Sequence, residues 1–158
     1  MQFSPRTHAA SIEIAASPQT VYAAVSDVTR TGEWSPICKQ CWWHEGDGPR
    51  VGARFTGRNV TAEDTWETVS TVTVADPGTE FAWEVGEGWV RWAYRLTGSG
   101  DRCTLTEAWE FPEAGLKLFV SLYGDDAAAH IDGVTQAAHE GIPATLSAIK
   151  RVVEAETA

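Results

Sequence analysis

The segment Phe81-Ala82-Trp83-Glu84-Val85-Gly86-Glu87-Gly88-Trp89-Val90-Arg91-Trp92-Ala93-Tyr94-Arg95-Leu96 decides how this chain folds. Apolar and charged residues alternate on both sides of a glycine-rich break, the pattern of two half-buried strands joined by a turn. With Gly86-Glu87 as a two-residue loop, a type that takes glycine first, Trp83 lies opposite Val90 and Phe81 opposite Trp92. One face then holds Phe81, Trp83, Val90, Trp92, Tyr94 and Leu96, and the other Glu84, Arg91 and Arg95. A three-residue loop would turn both arginines inward, because a one-residue slip exchanges the two faces of a strand. That register is rejected.

The same faces can be followed outward. From Cys38 to Phe111 the period stays at two, and turn signals at 45–49, 62–63, 76–78, 86–88 and 98–101 divide it into six strands. The inward face collects Phe55, Gly57, Asn59, Trp66, Thr68, Ser70, Val72 and Val74 before the hairpin, and Leu105, Glu107, Trp109 and Phe111 after it. The outward face carries Thr65, Glu67, Thr71, Thr73, Thr104, Thr106 and Glu110. A sheet with one apolar and one polar face is antiparallel in character.

Upstream, Ile12 and Ile14 alternate with Ser11 and Glu13 in a first strand expected from about His8 to Ala15. Ser17 and Pro18 then open a helix, one as cap and the other at the first helical position. Val21, Val25 and Val28 form its stripe, and Gly32 is expected to stop it. After a short segment from Leu116 to Tyr123, Asp125 or Asp126 is placed to cap a helix reaching about Glu154. Ile131, Val134, Ala138, Ile142, Leu146, Ile149 and Val153 recur along it at spacings of three and four. Pro143 should bend this helix, since proline removes a backbone bond and crowds the preceding turn. The order is strand, helix, six strands, long helix. It predicts an α+β fold in which a curved seven-stranded antiparallel sheet wraps around the C-terminal helix. The 158 residues suit one domain, 1–158, with an ordered core of about 8–154.

Bulk properties narrow the function. A formal net charge of −10 repels nucleic acids and anionic membrane surfaces. No run approaches the roughly 20 apolar residues of a membrane span, and the N-terminus has no signal-peptide pattern. Three cysteines, an odd number, fit free thiols in a reducing cytoplasm.

The 8 tryptophans are many for a chain this size, and several fall on the inward face. Phe55, Trp66, Phe81, Trp83, Trp92 and Trp109 from the sheet, with Val134, Ala138 and Ile142 from the helix, are the expected walls of a ligand cavity. Asn59, Thr68, Tyr94 and Glu107 are its polar members. Glu107 stands out, because an unpaired carboxylate is costly to bury. Its pKa should rise there, and it could bind a ligand hydroxyl or act as a general acid/base together with Tyr94. The alternative is a Glu107 simply paired with a neighbouring polar group or a rim arginine.

Cys38 and Cys41, with His44 close by, invite a zinc reading, but structural zinc takes four ligands and the remaining Cys103 belongs to another strand. In a regular strand positions 38 and 41 also face opposite ways, so neither a metal site nor a redox pair is expected. His8, His44, His130 and His139 share no spacing, and His130 and His139, off the main apolar stripe of the C-terminal helix, are expected at the surface. No phosphate loop, dinucleotide fingerprint or serine elbow is present, so no cofactor is expected.

The order of elements resembles the helix-grip fold of the START and plant-pollen-allergen superfamily, in its polyketide cyclase/dehydrase-like (SRPBCC) branch. The matching residues are Ala16-Ser17-Pro18-Gln19-Thr20-Val21-Tyr22, Glu33-Trp34-Ser35-Pro36-Ile37-Cys38, Val51 to Asn59 followed by Trp66, Phe81-Ala82-Trp83, Trp92 to Leu96, Leu105 to Trp109, and Thr145-Leu146. Related sequences often have an acid where this chain has Ile37. The resemblance implies a binding protein for a small hydrophobic molecule such as a lipid, polyketide or aromatic metabolite. It also implies, as an alternative, a polyketide cyclase/dehydratase of the aromatase/cyclase type with Glu107 or Tyr94 moving protons. A third reading is an interaction module with a filled core, a homodimer through an edge strand.

Overall fold

A computed structural model describes residues 3–158. Its elements are β1 (Arg6–Ile14), α1 (Pro18–Val25), a 3₁₀ segment (Val28–Glu33), β2 (Cys38–Trp43), β3 (Arg54–Val60), β4 (Thr65–Asp76), β5 (Glu80–Val85), β6 (Val90–Ser99), β7 (Arg102–Phe111), α2 (Glu113–Tyr123) and α3 (Ala127–Thr157). The strands form one antiparallel sheet in the order β1-β7-β6-β5-β4-β3-β2. This is the α+β helix-grip architecture, with the sheet curved about α3.

Local chemistry explains the first turn of chain. Ser17 Oγ accepts from the Thr20 amide at 3.1 Å, and Pro18 follows at the first helical position. The helix ends at Val25 rather than near Gly32. Asp27 then takes the Thr29 amide at 3.1 Å and starts the separate 3₁₀ segment, so Val28 is buried on a different element from Val21 and Val25. At the other end, Asp126 occupies the cap position of α3 without a side-chain cap bond. The helix continues through Pro143 for 31 residues.

The hairpin register differs from the expected one by two residues. Trp83 pairs with Trp92, Phe81 with Tyr94 and Val85 with Val90. The loop is therefore four residues, Gly86 to Trp89, closed by the Trp89 amide donating to the Val85 carbonyl at 3.0 Å. Gly86 and Gly88 both have positive φ, and a Cβ on Gly86 would collide with the Trp89 ring at 2.0 Å. The Trp89 indole folds over Gly86, a position that only a residue without a side chain allows. A shift of two preserves the faces, so the inward set survives except at Val74. A bulge between Val72 and Val74 pairs Val74 with Ala82 on the outer face, and Ala75 takes the inward place opposite Phe81.

The outer face holds Arg91 with Glu110 at 3.0 Å, Arg95 with Glu80 at 3.5 Å and Arg58 with Glu67 at 2.8 Å. On the inner side α3 is tied to β1 and the residue after it at separate levels. Arg6 reaches Asp132 at 3.2 Å, Lys150 donates to the Glu13 carbonyl at 2.8 Å, and the Ala15 amide donates to Glu154 at 2.8 Å. Along this length the helix buries Ile131, Ala138, Ile142, Leu146, Ile149 and Val153. No helix is long and apolar enough to cross a membrane among the described residues.

Because Ile149 is fully buried, Ile149→Ala should cost about 2–5 kcal/mol. Urea unfolding will show this as a lower midpoint at unchanged slope. A loss below about 1 kcal/mol would mean that the sheet does not grip the helix at this level.

Candidate functional site

The inward side chains of the sheet do not all reach α3. Between them lies a cavity of about 400 Å³, bounded by β2 to β7, α1, the 3₁₀ segment, the 34–38 loop and the first half of α3. Its lining runs from buried Phe81 and Glu107 to exposed Pro36 and Gly133 and to Trp66, which is 42% exposed. The cavity therefore reaches the surface at that end.

Every residue that the sequence pattern assigned to the wall is on it: Phe55, Asn59, Trp66, Thr68, Phe81, Trp83, Trp92, Tyr94, Glu107 and Trp109 from the sheet, and Val134, Ala138 and Ile142 from α3. Trp83 is the hub of the aromatic wall. Its ring lies 6.3 Å from Trp92 at an interplanar angle of 16°, 5.6 Å from Tyr94, 5.7 Å from Phe81 and 6.1 Å from Phe55. Offset and tilted contacts of this kind fix ring orientation while leaving an apolar surface toward the cavity.

Trp34, Thr31, Cys38, Cys41 and Thr145 also line it and were not foreseen. Thr145 lies three residues beyond Ile142, so helical spacing could have found it. Trp34 sits in a loop with no periodic signal. The two cysteines were assigned to opposite faces. The structure corrects that: a bulge between Cys38 and Gln40 pairs Cys38 with Asn59 and Cys41 with Gly57, turning both inward with their sulfurs 3.2 Å apart. No cluster of three or more potential metal-ligating side chains occurs among the described residues.

Glu107 is the polar centre. It is only 5% exposed, and it faces Tyr94 across the β6–β7 pair. Burial pushes its carboxyl up from an ordinary value near 4.5 to about 8, with the Tyr94 hydroxyl opposing the shift. Tyr94 is itself pushed well above its usual range by burial first and by the Glu107 charge second. Other candidate partners are engaged elsewhere: Asn59 donates to Thr68 at 3.3 Å and to the Trp66 carbonyl at 3.4 Å, and Arg91 and Arg95 face outward. Among the described residues, Glu107 Oε1 is the one buried side-chain oxygen or nitrogen without a hydrogen-bond partner. At neutral pH the group holds its proton, and it presents an unsatisfied oxygen on an otherwise largely apolar wall.

A sheet gripping one long helix around an open-ended apolar cavity defines a helix-grip protein with an internal chamber. Residues 6–154 match the family described as polyketide cyclase / dehydrase and lipid transport, and the chain belongs to that family. A polyketide-cyclase-like protein from Corynebacterium glutamicum, solved in solution, is 51% identical, with 96% of this chain and 93% of that one covered at a TM-score of 0.72. The Zhui aromatase/cyclase of a Streptomyces strain is 18% identical, with 98% and 96% covered at 0.75. A major latex-like protein from Panax ginseng is 14% identical, with 80% and 97% covered at 0.56. These last two share the fold. No curated protein matches the chain. The homodimer expected as one alternative finds no support in these similarities.

A raised carboxyl pKa has a definite linkage sign. Between about 4.5 and 8 the folded protein holds a proton that the unfolded chain has released, so this group makes stability fall as pH rises through that window. Below the window the folded carboxyl carries no penalty; above it the penalty is complete. Urea midpoints from pH 4 to 9 should therefore decline more steeply in the wild type than in Glu107→Gln, with the variant more stable at the alkaline end. Parallel profiles would show that Glu107 titrates normally.

Proposed function

We propose that the protein binds a small, largely apolar, ring-bearing molecule in the cavity, oriented by one polar group of the ligand on Glu107 and Tyr94. The family and its solved members support hydrophobic-ligand binding or a cyclase role. The volume of about 400 Å³ falls in the range of small-molecule sites, and the aromatic wall suits a planar or lipid-like body. One observation carries the reading: Glu107 Oε1 is buried and unpaired, so a ligand group that satisfies it removes a standing cost. The reading extends to a reducing cytoplasm, where three free thiols would persist.

The partners follow from this chemistry. A protonated carboxyl donates one hydrogen bond and accepts another, so a ligand hydroxyl or carbonyl fits better than a carboxylate. The test is a titration with an uncharged naphthol, followed by tryptophan fluorescence. We expect saturable binding at one site per chain, weakened about tenfold or more by Trp83→Ala through lost burial. Native mass spectrometry of protein purified from its own host should show a small molecule carried along. Absence of both signals would overturn the proposal.

The Glu107 pKa near 8 also supports a second reading, an aromatase/cyclase-type enzyme in which Glu107 moves a proton during ring closure of a poly-β-keto substrate. Glu107→Gln separates the two. Binding with unchanged affinity but no turnover favours the enzyme, whereas turnover that survives the change removes Glu107 from catalysis.

A further inference from the structure

The cavity has a second chemical feature, on the wall formed by β2 and β3 rather than at Glu107. Residues three apart in a regular strand point to opposite faces. Here the bulge at Lys39 leaves that residue outside the pairing, so Cys38 and Cys41 both turn toward the cavity. A bulge costs ladder bonds and is a local geometric device rather than an accident of sequence.

The sulfurs are also given room. Gly57, directly across from Cys41, has no side chain, and a Cβ there would come within 3.1 Å of Cys38 Sγ and 3.3 Å of Cys41 Sγ. The two thiols occupy the space above this glycine, 3.2 Å apart. The Cys38 thiol has two acceptors in reach, Cys41 Sγ and the Gln40 carbonyl at 3.7 Å. Cys41 is buried from bulk solvent, and Cys38 is half-buried. Both line the chamber, whose volume of about 400 Å³ has room for a small molecule but not for a protein.

We propose that Cys38 and Cys41 form a thiol–disulfide exchange site that takes small organic disulfides entering the cavity. Cys41 is the attacking sulfur. The contact between the two sulfurs lowers the Cys41 thiol below its usual range, and the same contact, with burial, holds the Cys38 thiol above its own. The Cys41 thiolate bonds to one sulfur of the disulfide and expels the first thiolate, which leaves with the Cys38 proton as a thiol. The Cys38 thiolate then bonds to Cys41 Sγ and breaks the mixed disulfide. The second thiolate takes up the proton that Cys41 had released to water. The protein dithiol is oxidised by two electrons, and the small disulfide is reduced to two thiols. Closing the bond brings the sulfurs from 3.2 Å to about 2.0 Å, a movement of side chains within one strand. This site uses the cavity but not Glu107, so it stands apart from the ligand reading above.

The test uses the full chain, reduced and folded, exposed to cystamine and then alkylated. Intact mass and peptide mapping should show a loss of two hydrogens, with Cys38 linked to Cys41 and Cys103 still alkylated. Cys38→Ser should stop at a mixed disulfide between Cys41 and one cysteamine, the other cysteamine having left as the thiol. Cys41→Ser should react at least about tenfold more slowly, because the favoured thiolate is gone. Three results would overturn the proposal: a wild-type protein that stops at a mixed disulfide, one that links Cys103 instead, or one whose Cys38 and Cys41 react only in urea. The decisive measurement is made on the wild type, so it does not depend on the folding of either variant.

Discussion

One helix cannot cover a seven-stranded sheet. Strands about 4.8 Å apart make a sheet roughly 29 Å across, whereas a helix with its side chains is about 10–12 Å wide. The sheet must therefore curl, recruit other cover or leave its inner face partly unfilled, and this chain does all three. α3 is held against β1, while α1, the 3₁₀ segment and the 34–38 loop close other parts of the concave side. What remains between them is the cavity. Its position follows from where α3 is anchored, through Asp132, Lys150 and Glu154 of the helix to Arg6, Glu13 and Ala15 at one edge of the sheet.

That geometry gives Glu107 its character. On the outer face a carboxylate in β7 finds a partner, as Glu110 does with Arg91. Three residues earlier, pointing inward, Glu107 faces Tyr94 and aromatic walls and finds no cation. The strand's alternation produces two carboxyls with opposite fates, one charged and paired, the other proton-bearing and half-satisfied. Unpaired buried oxygens are rare in folded proteins because they weaken the fold, so Glu107 Oε1 is a standing cost to this one.

The faces were legible in the sequence because alternation is insensitive to even shifts. The expected pairing of Trp83 with Val90 was wrong by two residues, yet the wall residues still fell on the right side. Odd irregularities behave differently. The bulge at Thr73 sent Val74 outward, and the bulge at Lys39 brought Cys38 and Cys41 together. Neither has a composition signal, since both arise from how a strand meets its neighbour rather than from its own residues. Trp34 escaped for a related reason: a loop residue has no period, and only the closing of the chain over the sheet carries its ring inward. The amphipathic stripe of α3, by contrast, located Val134, Ala138 and Ile142 directly.

The parallel stacking of Trp83 and Trp92 has an optical consequence. Two indoles held 6.3 Å apart at a fixed angle couple their electronic transitions, and coupled transitions give a paired circular-dichroism band whose sign depends on the twist between the rings. Both rings line the chamber, so the chromophore is part of the wall itself. A guest that slides one ring against the other would change the handedness signal directly, and the empty and filled states would carry different spectra without any added label.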